Sequence, residues 1–345
     1  MDTQTTIPLF QKAVEAKASD VHVAVGSPIL FRIDGVLIPQ TEQDVTPEQA
    51  LAIVRAVLGE GPFKRFEAEK EIDVSYQVGN GTRLRVNCHY ERGNMGLAAR
   101  VIPAVIPTIE QLQLGDIANK IFSLENGLVL FTGPTGMGKS SSLAAILQSI
   151  NEKEANNIIT LEDPIEFLFP KGKSMIRQRE YGHDFLSFPE AMKRVLRQDP
   201  DIVMVGEMRD PETIAAALTL AETGHLIFAT LHTPNAIQTV DRIIDVFAPH
   251  QQGQVRAQLS LSLKMVVAQK LLPKVGGGRV ALREVLLNTA AVGNTIRDGR
   301  TQELTTVMQT SEDVGMVTFA KAAERLLVHG LITKDLYQTL SATVR

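Results

Sequence analysis

One eight-residue stretch constrains this chain more than any other: Gly133-Pro134-Thr135-Gly136-Met137-Gly138-Lys139-Ser140. It satisfies G-x-x-x-x-G-K-[S/T] in full. The apolar run 128–131 enters the stretch and residues 141–150 leave it as a helical segment. Strand, glycine loop and helix in that order form a phosphate cradle. The glycines let backbone N–H groups curl around the anion, and the helix start adds a favourable dipole. Lys139 brings a positive charge to the β- and γ-phosphates, and Ser140 brings a hydroxyl to Mg2+, a small ion that prefers oxygen. The predicted nucleotide-binding set is Gly133, Pro134, Thr135, Gly136, Met137, Gly138, Lys139, Ser140 and Ser141. The expected ligands are ATP and Mg2+. The bland alternative is a chance glycine turn, and the flanking strand and helix argue against it.

The rest of the chain changes texture near residue 103. Ile7, Phe10, Val14 and Ala18 recur three or four apart and predict a helix. Strand-like stretches follow at 21–25 and 29–33, then a turn at Asp34-Gly35. Thr46-Pro47 predicts a helix start, with Thr46 as N-cap and an apolar face from Leu51, Val54, Val57 and Leu58. Residues 72–78 and 83–89 flank Asn80-Gly81, a hairpin signal, and 92–94 turn into a further strand at 97–102. Residues 1–102 therefore read as a small α+β domain. Pro103, Pro107 and Gly115 mark 103–115 as a linker or hinge. Beyond it, apolar runs at 127–131, 158–161, 202–205 and 226–230 alternate with helical segments at 140–150, 188–197 and 211–222. Alternating strands and helices imply an α/β fold with parallel pairing. From about 236 the pattern reads as mostly helical, broken at 273–278, and 116–345 is taken as one domain.

Composition narrows the function. A length of 345 residues suits two domains, and 44% hydrophobic residues suit real cores. The net charge of −4 supplies no global basic field, which argues against nucleic acid as a direct partner. The lone Cys88 forms no internal disulfide and builds no four-cysteine zinc site; it reads as a small buried apolar residue in a reducing compartment. Residues 1–10 lack the basic and apolar pattern of a signal peptide. No run approaches the ~18 apolar residues that a spanning helix needs. The expected location is the cytoplasm, with any membrane attachment made through partners.

Phosphoryl transfer also needs acids that organise a metal and position water. Two acidic groups follow predicted strands, Glu162-Asp163-Pro164-Ile165-Glu166 after 158–161 and Glu207 after 202–205. Carboxyl ends of parallel strands are where ligands bind in such sheets. Glu207 is expected to hold Mg2+ through a water, and Glu162 to polarise the attacking water. Surface carboxylates or helix caps are the structural alternatives. His225 and His232 flank the run 226–230 and are expected near the γ-phosphate, His232 being the better candidate and a buried structural histidine the alternative for His225. Arg83, Arg85 and Arg100 lie on predicted strands of the first domain, while Arg197 and Arg209 bracket 202–205. A guanidinium supplied by a neighbouring subunit raises such rates by ~10³–10⁵. Ordinary surface arginine is the alternative for each.

Four segments together resemble a known family: 133–140, Thr160 to Glu166, 199–210, and Glu222-Thr223-Gly224-His225 with Leu231-His232-Thr233. They look like the Walker A, Asp-box, atypical Walker B and His-box motifs of the type II/type IV secretion ATPase superfamily. Within it the chain is most similar to the twitching-motility ATPases that retract type IV pili. Ala18-Ser19-Asp20-Val21-His22, residues 252–273, Ile296 to Thr301 and Val307 to Thr310 extend the resemblance over nearly the whole chain. The chain lacks the four-cysteine insert and longer N-terminal region usual in assembly and secretion members, which favours the retraction branch. Two stretches depart from that branch, Tyr181-Gly182-His183-Asp184-Phe185 and 294–300, and leave an accessory paralogue open. The resemblance implies a PAS-like N-terminal domain, a RecA-like P-loop ATPase domain, ATP bound between them and a homohexameric ring. It also implies a cytoplasmic motor docked under an inner-membrane pilus platform protein, without membrane insertion. The other readings are an assembly or secretion ATPase, a nucleic-acid-translocating motor, a nucleotide-binding scaffold and a small-molecule kinase.

Overall fold

The computed structural model describes residues 6–33, 35–79, 81–102 and 105–343. Asp34 and Asn80 of the two predicted turns, Pro103 of the predicted linker and the first five residues of the stretch searched for a signal peptide lie outside the described residues. The chain forms two compact units, Met1–Ile106 with Pro164–Leu168, and Pro107–Asp163 with Phe169–Arg345.

The first unit is built from α1 (Thr6–Glu15), β1 (Asp20–Val23), β2 (Leu30–Ile33), β3 (Val36–Pro39), α2 (Pro47–Leu58), α3 (Glu60–Glu69), β4 (Glu71–Gln77), β5 (Arg83–Glu91) and β6 (Asn94–Ile102). Its sheet is antiparallel, ordered β3-β2-β1-β6-β5-β4. Alternation puts Val21, Val23, Phe31, Val74, Leu84, Val86, Leu97 and Ala99 into one core with Phe10, Val54 and Phe66 of the helices. Helix α2 starts on a reciprocal cap between Thr46 and Gln49. Leu51, expected on its buried face, is 39% exposed; Ala50 and Ile53 take the core positions instead. Strand β3 has all four residues exposed, so no alternation marked it in the sequence.

The second unit contains α4 (Gly115–Phe122), β7 (Gly127–Thr132), α5 (Lys139–Lys153), β8 (Asn157–Glu162), β9 (Met175–Glu180), α6 (Phe188–Val195), β10 (Ile202–Val205), α7 (Pro211–Glu222) and β11 (Leu226–Leu231). It continues through α8 (Ala236–Asp245), α9 (Pro249–Ser262), β12 (Leu263–Pro273), β13 (Arg279–Leu287), α10 (Ala290–Arg297), α11 (Leu304–Gln309), α12 (Phe319–Val328) and α13 (Lys334–Thr343). The sheet order is β13-β12-β7-β11-β10-β8-β9, parallel throughout except for β13. Its central strands are buried along both faces. Leu128, Leu130, Ile159, Val203 and Ile227 enter a core with α6 to α11, while Val129, Phe131, Ile158, Met204 and Phe228 enter another with α4 and α5. Continuous apolar runs are the signature of such doubly covered parallel strands.

Residues 263–287 correct the helical expectation for the C-terminal region. They form the two long strands β12 and β13, paired in register from Met265↔Leu287 to Pro273↔Arg279. Buried strand and buried helix give similar apolar runs when both faces are covered, so spacing does not separate them. Glu284 on β13 is buried and accepts from the backbone N–H groups of Ala236 (2.9 Å) and Phe319 (3.3 Å), the first residues of α8 and α12. Burial raises its carboxyl pKa, against the lowering effect of those two bonds and of Lys270.

Candidate functional site

Because β7, β11, β10 and β8 are adjacent and parallel, their carboxyl ends share one edge. That edge carries the glycine loop after β7, Thr230 to His232 at the end of β11, Glu207 just beyond β10, and Glu162 as the last residue of β8. Three strand spacings of ~4.8 Å separate β7 from β8, so Glu207 and His232 occupy the ground between loop and Glu162.

The loop between β7 and α5 is tight. Gly133 has φ 138° and its missing Cβ would stand 2.3 Å from the carbonyl oxygen of Gln269 on β12, so no side chain fits there. Pro134, Thr135 and Gly136 are exposed, while Met137, Gly138, Ser140 and Ser141 are half-buried. Lys139 is buried, and its ammonium donates to the carbonyls of Gly133 (2.6 Å) and Pro134 (3.0 Å) of its own loop. Helix α5 starts at Gly138, which has no side chain to cap it, whereas Ser187, Asp210 and Asn235 cap α6, α7 and α8. First-turn amides without a side-chain cap at a glycine loop form an anion-binding end.

The acids at the two neighbouring strand ends are held differently. Glu162 is buried, and its Oε1 accepts from the Thr160 hydroxyl (2.6 Å) and the Gln178 amide (3.2 Å). Thr160 is two residues back on the same face of β8, and Gln178 is its register partner on β9. Glu207 follows Gly206, whose N–H bonds to the Leu161 carbonyl at 2.8 Å. A Cβ on Gly206 would come within 3.2 Å of that oxygen and 3.3 Å of Glu162 Cα, so a glycine lets the chain turn close to β8. The Glu207 carboxylate lies 2.8 Å from Arg209 and 3.1 Å from His232 Nε2. Burial works against its ionised form. The hydrogen bond and charge of Arg209 and the His232 ring outweigh that and bring its pKa below the ordinary value. The bond to Glu207 in turn raises the Arg209 pKa. His232 Nδ1 is 3.4 Å from the Thr135 hydroxyl, so one imidazole touches both the glycine loop and Glu207.

Two predicted members stand elsewhere. His225 precedes β11 at the opposite edge of the sheet, where its ring meets the Leu220 carbonyl (3.1 Å) and the Thr223 hydroxyl (3.2 Å) at the end of α7. That placement corrects the expectation of a γ-phosphate contact within the chain. Arg197 lies exposed in the short 3₁₀ turn Leu196–Gln198 before β10, also at the amino edge. It does not meet the glycine loop of its own chain.

In the first unit, Arg83 and Arg85 alternate with the buried Leu84 and share the sheet face away from its core. Arg85 is the register partner of Arg100, which pairs with Asp20. Arg100 Nε donates to Asp20 at 2.9 Å. Burial opposes ionisation of Asp20, but the bonds from Ser19 and Arg100 bring its pKa below normal. Thr160 and Gln178 were not predicted as site residues. The Gln178 contact with Glu162 depends on strand pairing, whereas the threonine two residues before the glutamate is a local signal. Cys88 is buried, and burial pushes its thiol up to about 12, so it is inert.

Known proteins resemble this chain in sequence and fold. The type IV pilus retraction ATPase PilT of Pseudomonas aeruginosa is 41% identical over 318 residues, 92% of each chain. The type IV pilus ATPase PilU of the same organism is 41% identical over 328 residues, 95% of this chain and 86% of PilU. A crystal structure of the pilus retraction motor PilT with bound ADP superposes with a TM-score of 0.88 at 41% identity, covering 95% of this chain and 94% of that one. The sequence model of the type II/IV secretion system protein family matches residues 3–326, and the chain belongs to that family.

Proposed function

We propose that this chain is the ATP-driven motor of a type IV pilus system and powers pilus retraction. It is a P-loop ATPase with a small N-terminal domain and a larger ATPase domain. The observation that carries the reading is the contact chain from Thr135 through His232 to Glu207 and Arg209. It joins the phosphate loop to an acid that responds to charge. The names of PilT and of the twitching motility protein of Neisseria gonorrhoeae, 40% identical over 323 residues, support retraction as the work done.

In this reading the loop amides and Lys139 bind the triphosphate, Glu162 orients and deprotonates the attacking water, and His232 reports the loop's state to Glu207. Ser140 and Glu207 offer hard oxygen donors that fit Mg2+. Such an ion takes its other ligands from phosphate and water. Bound there, Mg2+ would neutralise charge on the β- and γ-phosphates. Arg197 serves the site of an adjacent subunit, and Arg83, Arg85, Arg100 and Arg209 are the further candidates for phosphate charge. The working assembly is a homohexamer in the cytoplasm, docked on an inner-membrane platform protein, with 1–102, 103–115 and 116–345 as N-terminal domain, hinge and ATPase core. Among the described residues no helix is long and apolar enough to cross a membrane.

The test compares wild type with Lys139→Ala for ATP turnover, particle mass by light scattering, and pilus retraction in a deletion strain. Turnover should fall at least ~100-fold, since the lysine serves the transferring phosphoryl. A hexamer-sized particle and abundant, non-retracting pili in the deletion strain support the motor. Absence of pili from the deletion strain would instead assign assembly. Mixing Lys139→Ala with Arg197→Ala subunits should restore part of the lost turnover if Arg197 acts across a subunit boundary. The identity shared with PilU favours a second reading, a pilus ATPase other than the main retraction motor. A deletion strain that retracts normally would select it.

A further inference from the structure

The phosphate loop is backed by a buried polar relay that no motif marks. Strand β12 pairs with β7 up to Ala268↔Thr132, and its next residue, Gln269, lies beside the loop. Gln269 is 2% exposed. Its Nε2 donates to the carbonyl of Met137, inside the glycine loop, at 2.5 Å. Its Oε1 accepts from Arg283 Nε (2.8 Å) and from the hydroxyl of Ser142 (3.0 Å) in the first turns of α5. The amide's orientation follows from chemistry. Arg283 Nε only donates, so the atom facing it is the oxygen, and the NH₂ group faces Met137. The Leu271 N–H also meets the Met137 sulfur at 3.3 Å.

Arg283 is the register partner of Gln269 on β13 and is 9% exposed. Its Nη1 donates to the Gln113 carbonyl at 3.2 Å, just before α4. Among the described residues it has no carboxylate within salt-bridge distance. Burial lowers its pKa to about 10, which leaves it charged at neutral pH. A buried cation is costly unless its hydrogen bonds are met. Here one bond is directed at the amide that holds the loop and another at the Gln113 carbonyl.

A phosphate loop works when its N–H groups face the anion and its carbonyls face away. A carbonyl turned inward would set a partial negative charge against the phosphates. We propose that Gln269 is a positioning residue for ATP binding: its amide fixes the Met137 carbonyl outward, and Arg283 fixes the amide. This inference rests on reading the chain as a P-loop ATPase. The relay spans strands β12 and β13, which lie outside the four motifs of the site.

The experiment measures KM and kcat for ATP, the Kd of a fluorescent ATP analogue, and nucleotide-free Tm for wild type, Gln269→Met and Gln269→Glu. Gln269→Met removes every bond of the amide at near-constant volume. Gln269→Glu keeps acceptors for Arg283 and Ser142, and so keeps the fold, but has no N–H for Met137. Both should raise KM and Kd at least tenfold with kcat within about threefold, the signature of lost uniform binding. Should Gln269→Met fail to fold, Gln269→Glu answers alone. A folded Gln269→Glu protein that binds ATP within twofold of wild type overturns the proposal, as does a loss of kcat with KM unchanged. Lys139→Ala run in parallel separates the two levels. If wild type does not bind ATP, or Lys139→Ala behaves as wild type, the ATPase reading itself fails.

Discussion

The carboxyl ends of β8 and β10 each place one glutamate on the same edge of one sheet, and the two are held in different ways. At Glu162 the Thr160 hydroxyl and the Gln178 amide, both neutral donors, converge on Oε1 of a buried carboxylate. At Glu207 two groups able to carry positive charge, Arg209 and His232, grip a carboxylate with 23% of its side chain exposed. Neutral donors fix the direction of an oxygen. Cationic partners lower the pKa and can be exchanged for another charge. The pair thus fits the division of work that the proposed hydrolytic mechanism needs, with one carboxylate aimed and the other able to trade partners.

The sharpest way to break the comparison is Glu162→Gln. It keeps the volume and removes the base, so turnover should fall about 10²–10⁴-fold while ATP affinity stays within a factor of two. Retention of a tenth of wild-type turnover would remove Glu162 from the chemistry. Glu207→Gln should act less severely, by about 10–100-fold, and should raise the Mg2+ concentration needed for half-maximal turnover; an unchanged Mg2+ profile would mean that Glu207 serves only Arg209 and His232. His232→Gln keeps one polar contact of the two, and a loss of about tenfold or less in kcat is expected. A loss matching that of Glu162→Gln would show that the histidine is itself part of the chemistry.

The smallest effect is on stability. The folded pKa of Glu207 lies below its ordinary value of 4.5, so its ion pairs stabilise fully above that value and fade as pH falls through the lower folded one. The Tm gap between wild type and Glu207→Gln should therefore be widest near neutral pH, at no more than about 3 °C, and close under acid. A gap that widens on acidification would reverse the assigned sign.

What was readable in the sequence follows the range of the interactions. The glycine loop was legible because its strand, turn and helix are contiguous, and Thr46 and Pro47 marked α2 for the same local reason. Glu162, Glu207 and His232 were legible as polar residues at the ends of apolar runs. Gln178 was not, because it meets Glu162 only once β9 has paired with β8. Gln269 meets Met137 132 positions away in the chain, and no local spacing encodes that. Strands β12 and β13 were lost among helices because burial on both faces erases alternation. The opposite edges occupied by Arg197 and Glu207 required only the knowledge that β10 runs parallel to its neighbours.

Arg283 and Glu284 are successive residues of β13 and face opposite sides of the sheet. The first serves the phosphate loop and the second holds the opening amides of α8 and α12. A single carboxylate therefore ties together the opening amides of two helices that are distant in the chain. The amide protons of Ala236 and Phe319 should exchange with solvent deuterium at rates that rise and fall together, as members of one cooperative opening unit. Glu284→Ala should release both at once, and leave the amides of α5 at their wild-type rates.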